Sequence, residues 1–349
     1  MNSSFEKTDI LSLSLEELEE KITSLGEPKY RAKQIFSWIN KGMWDDEMKN
    51  IPLALRKKLN EVFFYPLPKI EKKLVSKIDG TIKYLFKLYD DEYIESVFMK
   101  YEHGNTLCIS SQVGCRMGCK FCASTLLGRV RNLFPSEMLG QIISAEKDTG
   151  ERISNVVMMG IGEPLDNYDN TIKFLHLVSS ENGLNIGLRH ISVSTCGLVD
   201  KIDDLAKEGL PITLSISLHA YDNETRSQIM PINNKYPIEM LLTACQRYFE
   251  KTSRRISFEY TLIAGKNDTE TGAVSLSKIL KKYIHSPCHV NLIPLNEVKE
   301  TGLGTSKNVT NFKNKLLSLG VNATVRRRLG SDINASCGQL RRGAKEGTV

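Results

Sequence analysis

No stretch of this 349-residue chain approaches the roughly 18 apolar residues that a membrane-spanning helix needs, which argues against an integral membrane protein. The first ten residues carry Glu6, Lys7 and Asp9, and so lack the apolar core of a secretory signal. Cysteine is sparse, 8 residues unevenly spaced, which excludes a disulfide-stapled scaffold. Low-complexity segments and short internal repeats are missing as well. Net charge is only +6, enough to permit an anionic partner without demanding one. With hydrophobic residues at 41% and charged residues at 25%, wholesale disorder is excluded. The expectation is a cytoplasmic protein with no membrane partner. A chain near this size buries about three-quarters of the surface its unfolded form exposes.

What is present is a change of periodicity along the chain. Residues 1–65 read as a helical accessory domain. Ser14 and Glu17 have capping-box spacing, and Leu15, Leu18, Ile22 and Leu25 recur at helical intervals up to Gly26 and Pro28. Ala32, Ile35, Phe36 and Ile39 mark a second helix, and Leu55 and Leu59 a third after Pro52. Beyond Pro66 and Pro68, residues 66–105 alternate between turns at Asp79-Gly80, Asp90-Asp91 and His103-Gly104, the pattern of a β meander. From 106 to 349, β-branched runs (106–110, 154–159, 190–195, 212–218, 256–263, 288–294 and 322–327) alternate with helical segments near 136–149, 169–182, 199–208, 238–251, 269–284 and 307–319. Repeated βα units imply an α/β fold with a parallel sheet, open or curled into a barrel. Its polar site residues belong at the C-terminal strand ends.

Three cysteines fall within eight positions, Cys115-Arg-Met-Gly-Cys119-Lys-Phe-Cys122, directly after the first strand of that series. In a reducing compartment this clustering points to metal. Three thiolates on one loop can hold three corners of a 4Fe-4S cubane and leave the fourth iron open to another ligand. Zinc is the alternative reading, since Cys119-Lys-Phe-Cys122 is a common zinc spacing and Cys108 could supply a fourth ligand. A second feature, Gly160-Ile-Gly162-Glu163-Pro164, follows the next β-branched run. Its glycines would let backbone approach a ligand closely.

The cysteine loop and the glycine turn one βα unit later resemble the radical S-adenosylmethionine superfamily. The resemblance implies a partial (β/α)6 barrel, here with a small helical N-terminal domain and a β-meander extension. It also implies one 4Fe-4S cluster on Cys115, Cys119 and Cys122, where S-adenosylmethionine binds the open iron and is cleaved to a 5′-deoxyadenosyl radical. Longer strings narrow the match: Ser110-Ser-Gln-Val-Gly-Cys115, Cys122-Ala-Ser-Thr, Arg131-Asn-Leu and Gly162-Glu-Pro-Leu-Asp-Asn-Tyr-Asp169. With Ser217-Leu-His219, Met230-Pro-Ile-Asn233, Cys337-Gly-Gln-Leu340 and the N-terminal Tyr30-Arg31-Ala-Lys-Gln34, they look like the RlmN-type adenosine-C2 RNA methyltransferases over nearly the whole chain. Leu127 and Arg129 depart from the pattern, where smaller or less basic residues are expected.

By this resemblance, Cys337 takes a methyl group from one S-adenosylmethionine, and the radical from a second removes hydrogen from the resulting S-methylcysteine, two cofactors per turnover. Such a route suits adenine C2, which is too electron-poor for polar methyl transfer. The carbon radical adds to the ring, Glu95 accepts the ring proton, and Cys108 attacks the Cys337 sulfur to release product, leaving a disulfide. Gly162, Glu163, Ser194, Ser217, Leu218, His219 and Asn296 would contact S-adenosylmethionine. The implied substrates are 23S ribosomal RNA at the peptidyl-transferase centre and tRNA next to the anticodon, with an electron donor such as flavodoxin or ferredoxin and a monomeric enzyme. Cys196, Cys245 and Cys288 match no motif and read as small buried hydrophobes.

An RNA substrate should leave a basic footprint. Residues 28–44 hold Lys29, Arg31, Lys33 and Lys41, and the tail holds Arg326, Arg327, Arg328, Arg341, Arg342 and Lys345. The target base must be unstacked, because C2 is inaccessible to a protein sulfur inside a packed stem. Two rivals stand beside this reading. One is the related C8-adenosine methyltransferase of antibiotic resistance, and the other a zinc-stabilised, non-catalytic RNA-binding protein.

Overall fold

A computed structural model describes residues 7–295, 302–333, 335, 341 and 344 of the chain. Three helices open it: α1 (Leu15–Ser24), α2 (Tyr30–Ile39) and α3 (Leu53–Val62). The capping box forms, with the Ser14 hydroxyl accepting from the Glu17 amide at 3.1 Å and the Glu17 carboxylate from the Ser14 amide at 2.7 Å. A short parallel pair, β1 (Thr8–Asp9) and β2 (Phe63–Phe64), ties the two ends of this region together. The sequence pattern did not reveal it, because two residues carry no period.

The meander follows as β3 (Lys69–Val75), β4 (Ile82–Lys87) and β5 (Tyr93–Met99), antiparallel throughout. β5 pairs antiparallel with β6 (Asn105–Cys108), and from there the sheet turns parallel. A hairpin of β7 (Gln112–Gly114) and β8 (Arg129–Asn132) encloses the cysteine loop. The βα units are α4 (Pro135–Thr149), β9 (Ile153–Met158), α5 (Tyr168–Val178), β10 (Ile191–Thr195), α6 (Val199–Glu208) and β11 (Thr213–Ser217). They continue through the short α7 (Asn223–Ile229), α8 (Ile238–Thr252), β12 (Ile256–Leu262), α9 (Glu270–Tyr283), β13 (Cys288–Pro294), α10 (Val309–Ser318) and β14 (Ala323–Val325). One ten-stranded sheet results, in the order β14-β13-β12-β11-β10-β9-β6-β5-β4-β3. Its parallel strands lie in sequence order, the arrangement of a partial barrel extended by an antiparallel flank.

The strands and large helices fall within a few residues of the runs read from sequence. Their fully buried Val, Ile and Leu are why the pattern was legible. One apolar core runs from Leu18, Ile35, Phe36 and Ile39 of the helices into Met138 and Ile142 of α4 and on to Val193, Leu214 and Phe258 of the sheet. Among the described residues no helix is long and apolar enough to cross a membrane.

Candidate active site at the strand ends

The cysteine loop is pinned from three sides. The Cys115 amide donates to the Gly128 carbonyl at 3.2 Å across the hairpin, the Lys120 amide to the Ile229 carbonyl of α7 at 2.9 Å, and the Thr125 hydroxyl to the Cys122 carbonyl at 2.9 Å. Cys115 and Cys119 are buried and Cys122 is half-buried. Burial pushes the Cys115 thiol up to about 12 and the Cys119 thiol higher still, and the neighbouring cysteines add to both. Thiolates there need a cationic partner. The Ser124 hydroxyl, two residues beyond Cys122, is buried without a hydrogen-bond partner in the structure. A loop of mutually interacting buried thiols beside an unsatisfied hydroxyl fits an iron–sulfur group. Among the described residues no group of three or more His, Cys, Asp or Glu side chains, the loop cysteines included, is already closed around a point where an ion would sit, and Cys108 belongs to a different apolar cluster from the loop cysteines. Cys108 packs with Val97 and Met99, while Cys119 packs with Cys196, Ile229 and Met230.

The motif between β6 and β7 wires this loop to the glycine turn. The Ser110 hydroxyl donates to the Glu95 carbonyl at 2.6 Å and accepts from the Ile161 amide at 3.1 Å. Gln112 accepts from the Glu163 amide and donates to Asp166, each at 2.9 Å. Asp166 is also paired with Arg116 and Arg129. Arg129, the basic departure in the loop, therefore has a local counterion. At Gly162 (φ +110°) a Cβ would stand 2.7 Å from the Gln112 backbone, so glycine is required there by the close approach of the chain itself. Glu163 is fully buried, and its carboxylate accepts from the Cys196 amide at 2.7 Å and the Leu165 amide at 3.0 Å. Burial raises it above the ordinary carboxylate range.

Across the barrel mouth, His219 is fully buried, its Nδ1 accepting from the Thr261 amide at 2.9 Å. Burial, and then the Arg226 charge, hold its imidazole down to about 3. The ring is neutral with its proton on Nε2, a ready donor. It meets the Phe121 ring of the cysteine loop edge-on, 4.8 Å between centroids. Ser194 and Ser217 lie half-buried near the ends of β10 and β11, and the Leu218 amide donates to the Glu259 carbonyl at 3.0 Å. Asn296 lies outside the described residues.

Sequence reading missed two buried charged groups here. Arg226 on α7 donates to the carbonyls of Cys196 (2.7 Å), Ser217 (3.1 Å) and Leu218 (3.1 Å) and to the Asn233 side chain (3.1 Å). It locks α7 onto the ends of β10 and β11. Glu259 on β12 faces Asn291 at 2.8 Å, with its carboxyl raised by burial. For Glu259 the available signal was a carboxylate within a strand-like run of mostly apolar residues; the polar sequence of α7 carried none for Arg226.

Cys337 lies outside the described residues, but Ala335 before it and Arg341 after it are held. Leu329 and Ala335 pack against the Val97–Met99–Cys108 cluster, and the Arg341 amide donates to Glu95 Oε1 at 2.7 Å. Arg341 is buried, with Glu92 at 3.8 Å, and Arg326 faces Met159. These arginines of the basic tail point inward, leaving Arg327 and Arg328 exposed. In the second helix Lys29, Lys33 and Lys41 are exposed, Lys29 in contact with Glu19.

Residues 109–274 match the profile of the radical SAM superfamily, and residues 8–64 that of the ribosomal RNA large subunit methyltransferase N-terminal domain. The chain is 56% identical over 340 residues to the probable dual-specificity RNA methyltransferase RlmN of Alkaliphilus oremlandii, covering 97% of this chain and 98% of that protein. To the protein of the same description from Clostridium tetani it is 52% identical, covering 97% of each. A crystal structure of a radical SAM methyltransferase from Sphaerobacter thermophilus superposes with a TM-score of 0.90 at 40% identity, covering 95% of this chain and 98% of that one.

Proposed function

The chain belongs to the RlmN family of radical SAM methyltransferases, and on that premise we propose that it methylates adenosine C2 in 23S ribosomal RNA and in tRNA. The relatives' description names RNA and a dual specificity; 23S ribosomal RNA and tRNA as the two substrates, and C2 as the position, come from the sequence resemblance. When bound, one 4Fe-4S cluster on Cys115, Cys119 and Cys122 supplies, with S-adenosylmethionine, the radical that activates an otherwise inert methyl group; two S-adenosylmethionine molecules are consumed per turnover. The chain's own residues do the rest. The neutral His219 offers Nε2–H, with Ser194, Ser217, Leu218, Gly162 and Glu163 as the remaining wall of the cofactor site, to which the sequence resemblance adds Asn296. Cys337 carries the one-carbon unit to the base. Once the adduct radical has given up one electron, which returns to the cluster when that is bound, Glu95 takes the ring proton. The Cys108 thiolate then attacks the Cys337 sulfur, closing an S–S bond as the S–C bond breaks. The electron pair of the broken bond stays on the methylene carbon, which takes up a proton to become the methyl group.

The observation that carries this reading is the anchoring of the tail. Ala335 and Arg341, on either side of Cys337 in the chain, are held against Cys108's neighbours and Glu95 respectively. In the same reading residues 1–65 form an accessory RNA-contacting region, 66–105 the meander and 106–349 the core. Among the described residues of the second helix and the tail, the exposed Lys33, Lys41, Arg327 and Arg328 are the cations that would meet phosphates; Arg342 and Lys345 lie outside the described residues. A one-electron donor such as flavodoxin or ferredoxin serves a cytoplasmic monomer.

Anaerobically purified protein should carry iron and sulfide near four of each per chain, within the usual scatter of such assays. Given S-adenosylmethionine, a reductant and RNA, it should yield 2-methyladenosine by nucleoside mass spectrometry. Iron-free protein with full activity sinks the radical reading, and 8-methyladenosine sinks the choice of C2.

A further inference from the structure

Glu95 lies within β5, enclosed on all sides, and its charge is met from the neighbouring strand. Lys83 Nζ on β4 stands 3.1 Å from Glu95 Oε2, and the two side chains are 1% and 0% exposed. Because Lys83 pairs with Val97 in the β4–β5 ladder, the contact with Glu95 runs diagonally across the sheet. The other carboxylate oxygen, Oε1, accepts the Arg341 amide at 2.7 Å. The Glu95 carbonyl accepts the Ser110 hydroxyl at 2.6 Å, and Cys108 pairs with Val97 two residues along β5. Lys83, Glu95, Cys108 and the tail anchor thus share one patch where the antiparallel flank joins the barrel.

Burial alone favours the neutral form of a carboxyl group, and a neutral acid accepts no proton. An ammonium in contact keeps the carboxylate charged without solvent, provided the geometry is held. We propose that Lys83 is a positioning residue for the proton-transfer step: it keeps Glu95 ionised and aimed within a dry site until the ring proton arrives. This rests on the reading of Glu95 as proton acceptor. In that step the C2–H bond breaks heterolytically, its electron pair stays in the ring, and the proton bonds to a Glu95 oxygen. Lys83 remains an ammonium throughout, a donor first to a carboxylate and then to a neutral acid. A merely structural ion pair would affect folding and cluster content, but not one chemical step.

The test compares Lys83→Met, Lys83→Arg, Glu95→Gln and the double variant K83M/E95Q in single-turnover reactions of the cluster-loaded protein. Three quantities are read: iron per chain, 2-methyladenosine formed, and protein–RNA adduct that survives denaturation. Glu95→Gln should slow product about 100-fold, the span a general base typically supplies, and accumulate adduct. Lys83→Met should keep its iron, slow product about 10-fold or more and accumulate the same adduct, with Lys83→Arg recovering most of the rate. Should Lys83→Met fail to fold because it strands a buried charge, the double variant removes both charges. It should match Glu95→Gln within about twofold, as expected when two residues act through one another. A further tenfold drop in the double variant, or wild-type product without adduct in Lys83→Met, overturns the role of Lys83. Wild-type turnover in Glu95→Gln instead overturns the proton acceptor itself, and the Lys83 proposal falls with it.

Discussion

His219 shows what one residue contributes when its surroundings are complete. Its backbone is left-handed (φ +54°), its carbonyl accepts from Asn267 at 2.7 Å, and its Nδ1 is occupied by the Thr261 amide. Below pH 6.5 an unfolded chain takes a proton on this imidazole that the folded chain refuses until about pH 3. The group's contribution to stability is therefore complete above pH 6.5 and declines as pH falls, by about 1.4 kcal/mol per pH unit over the acid side. Urea unfolding of the wild type and of His219→Gln between pH 4 and 6.5 should give a shallower slope for the variant by about that amount. Equal slopes would mean that the ring is charged in the folded protein. The Ser217-Leu-His219 string was legible in the sequence through its resemblance, whereas the tautomer was not. It depends on Thr261, 42 residues away and on a different strand.

At the scale of elements, the cluster loop owes its shape to the β7–β8 hairpin and to α7. Gly114 (φ +78°) lies where a Cβ would come within 1.8 Å of the Gly128 carbonyl oxygen. Gly114→Ala should part the hairpin, adding about 1–3 kcal/mol of backbone strain to the clash. Iron bound per chain should fall severalfold, while far-UV circular dichroism keeps the barrel signal; iron retained at wild-type level would contradict this. Arg226→Gln attacks the other support, freeing carbonyls of Cys196, Ser217 and Leu218 together. A loss of about 3 kcal/mol in chemical unfolding follows from several buried acceptors left unsatisfied. A loss below about 0.5 kcal/mol, the range of ordinary surface substitutions, would show that water replaces the guanidinium. The cysteine spacing was readable because a loop's ligands are local in sequence. Neither support was readable: β7 has only three residues, and the burial of Arg226 depends on carbonyls supplied by two strands that precede it. Lys83 was equally hidden, since a lysine in a meander reads as solvated until its diagonal partner is known.

For the molecule as a whole, the decisive fact is the continuity of its core. The helical region looked separable in sequence because its period differs from that of the meander. In space Ile10 and Leu11 join Ile35, Phe36 and Ile39 in the same apolar cluster as α4 of the barrel. Polar contacts follow the same seam. The Ser136 amide at the start of α4 donates to the Ser12 hydroxyl at 3.0 Å, Lys147 reaches the Gly42 carbonyl at 3.0 Å, and Lys173 pairs with Glu17 at 2.9 Å. A barrel cut at residue 66 would expose that face of α4, including Met138, Ile142 and Ile143, which are buried in the whole chain. Uncovering even three such side chains removes about 5–9 kcal/mol of burial, comparable to the net stability of a domain. The truncated chain should therefore aggregate or lack a cooperative thermal transition, and the intact chain should unfold in one calorimetric peak. Two well-separated peaks, or a truncated barrel that melts cooperatively near the full-length temperature, would show the helices to be a detachable module. If they are fused instead, the exposed Lys33 and Lys41 sit at a fixed distance from the strand ends. RNA gripped by the second helix would then meet the catalytic mouth in one register, with only the target base left to move.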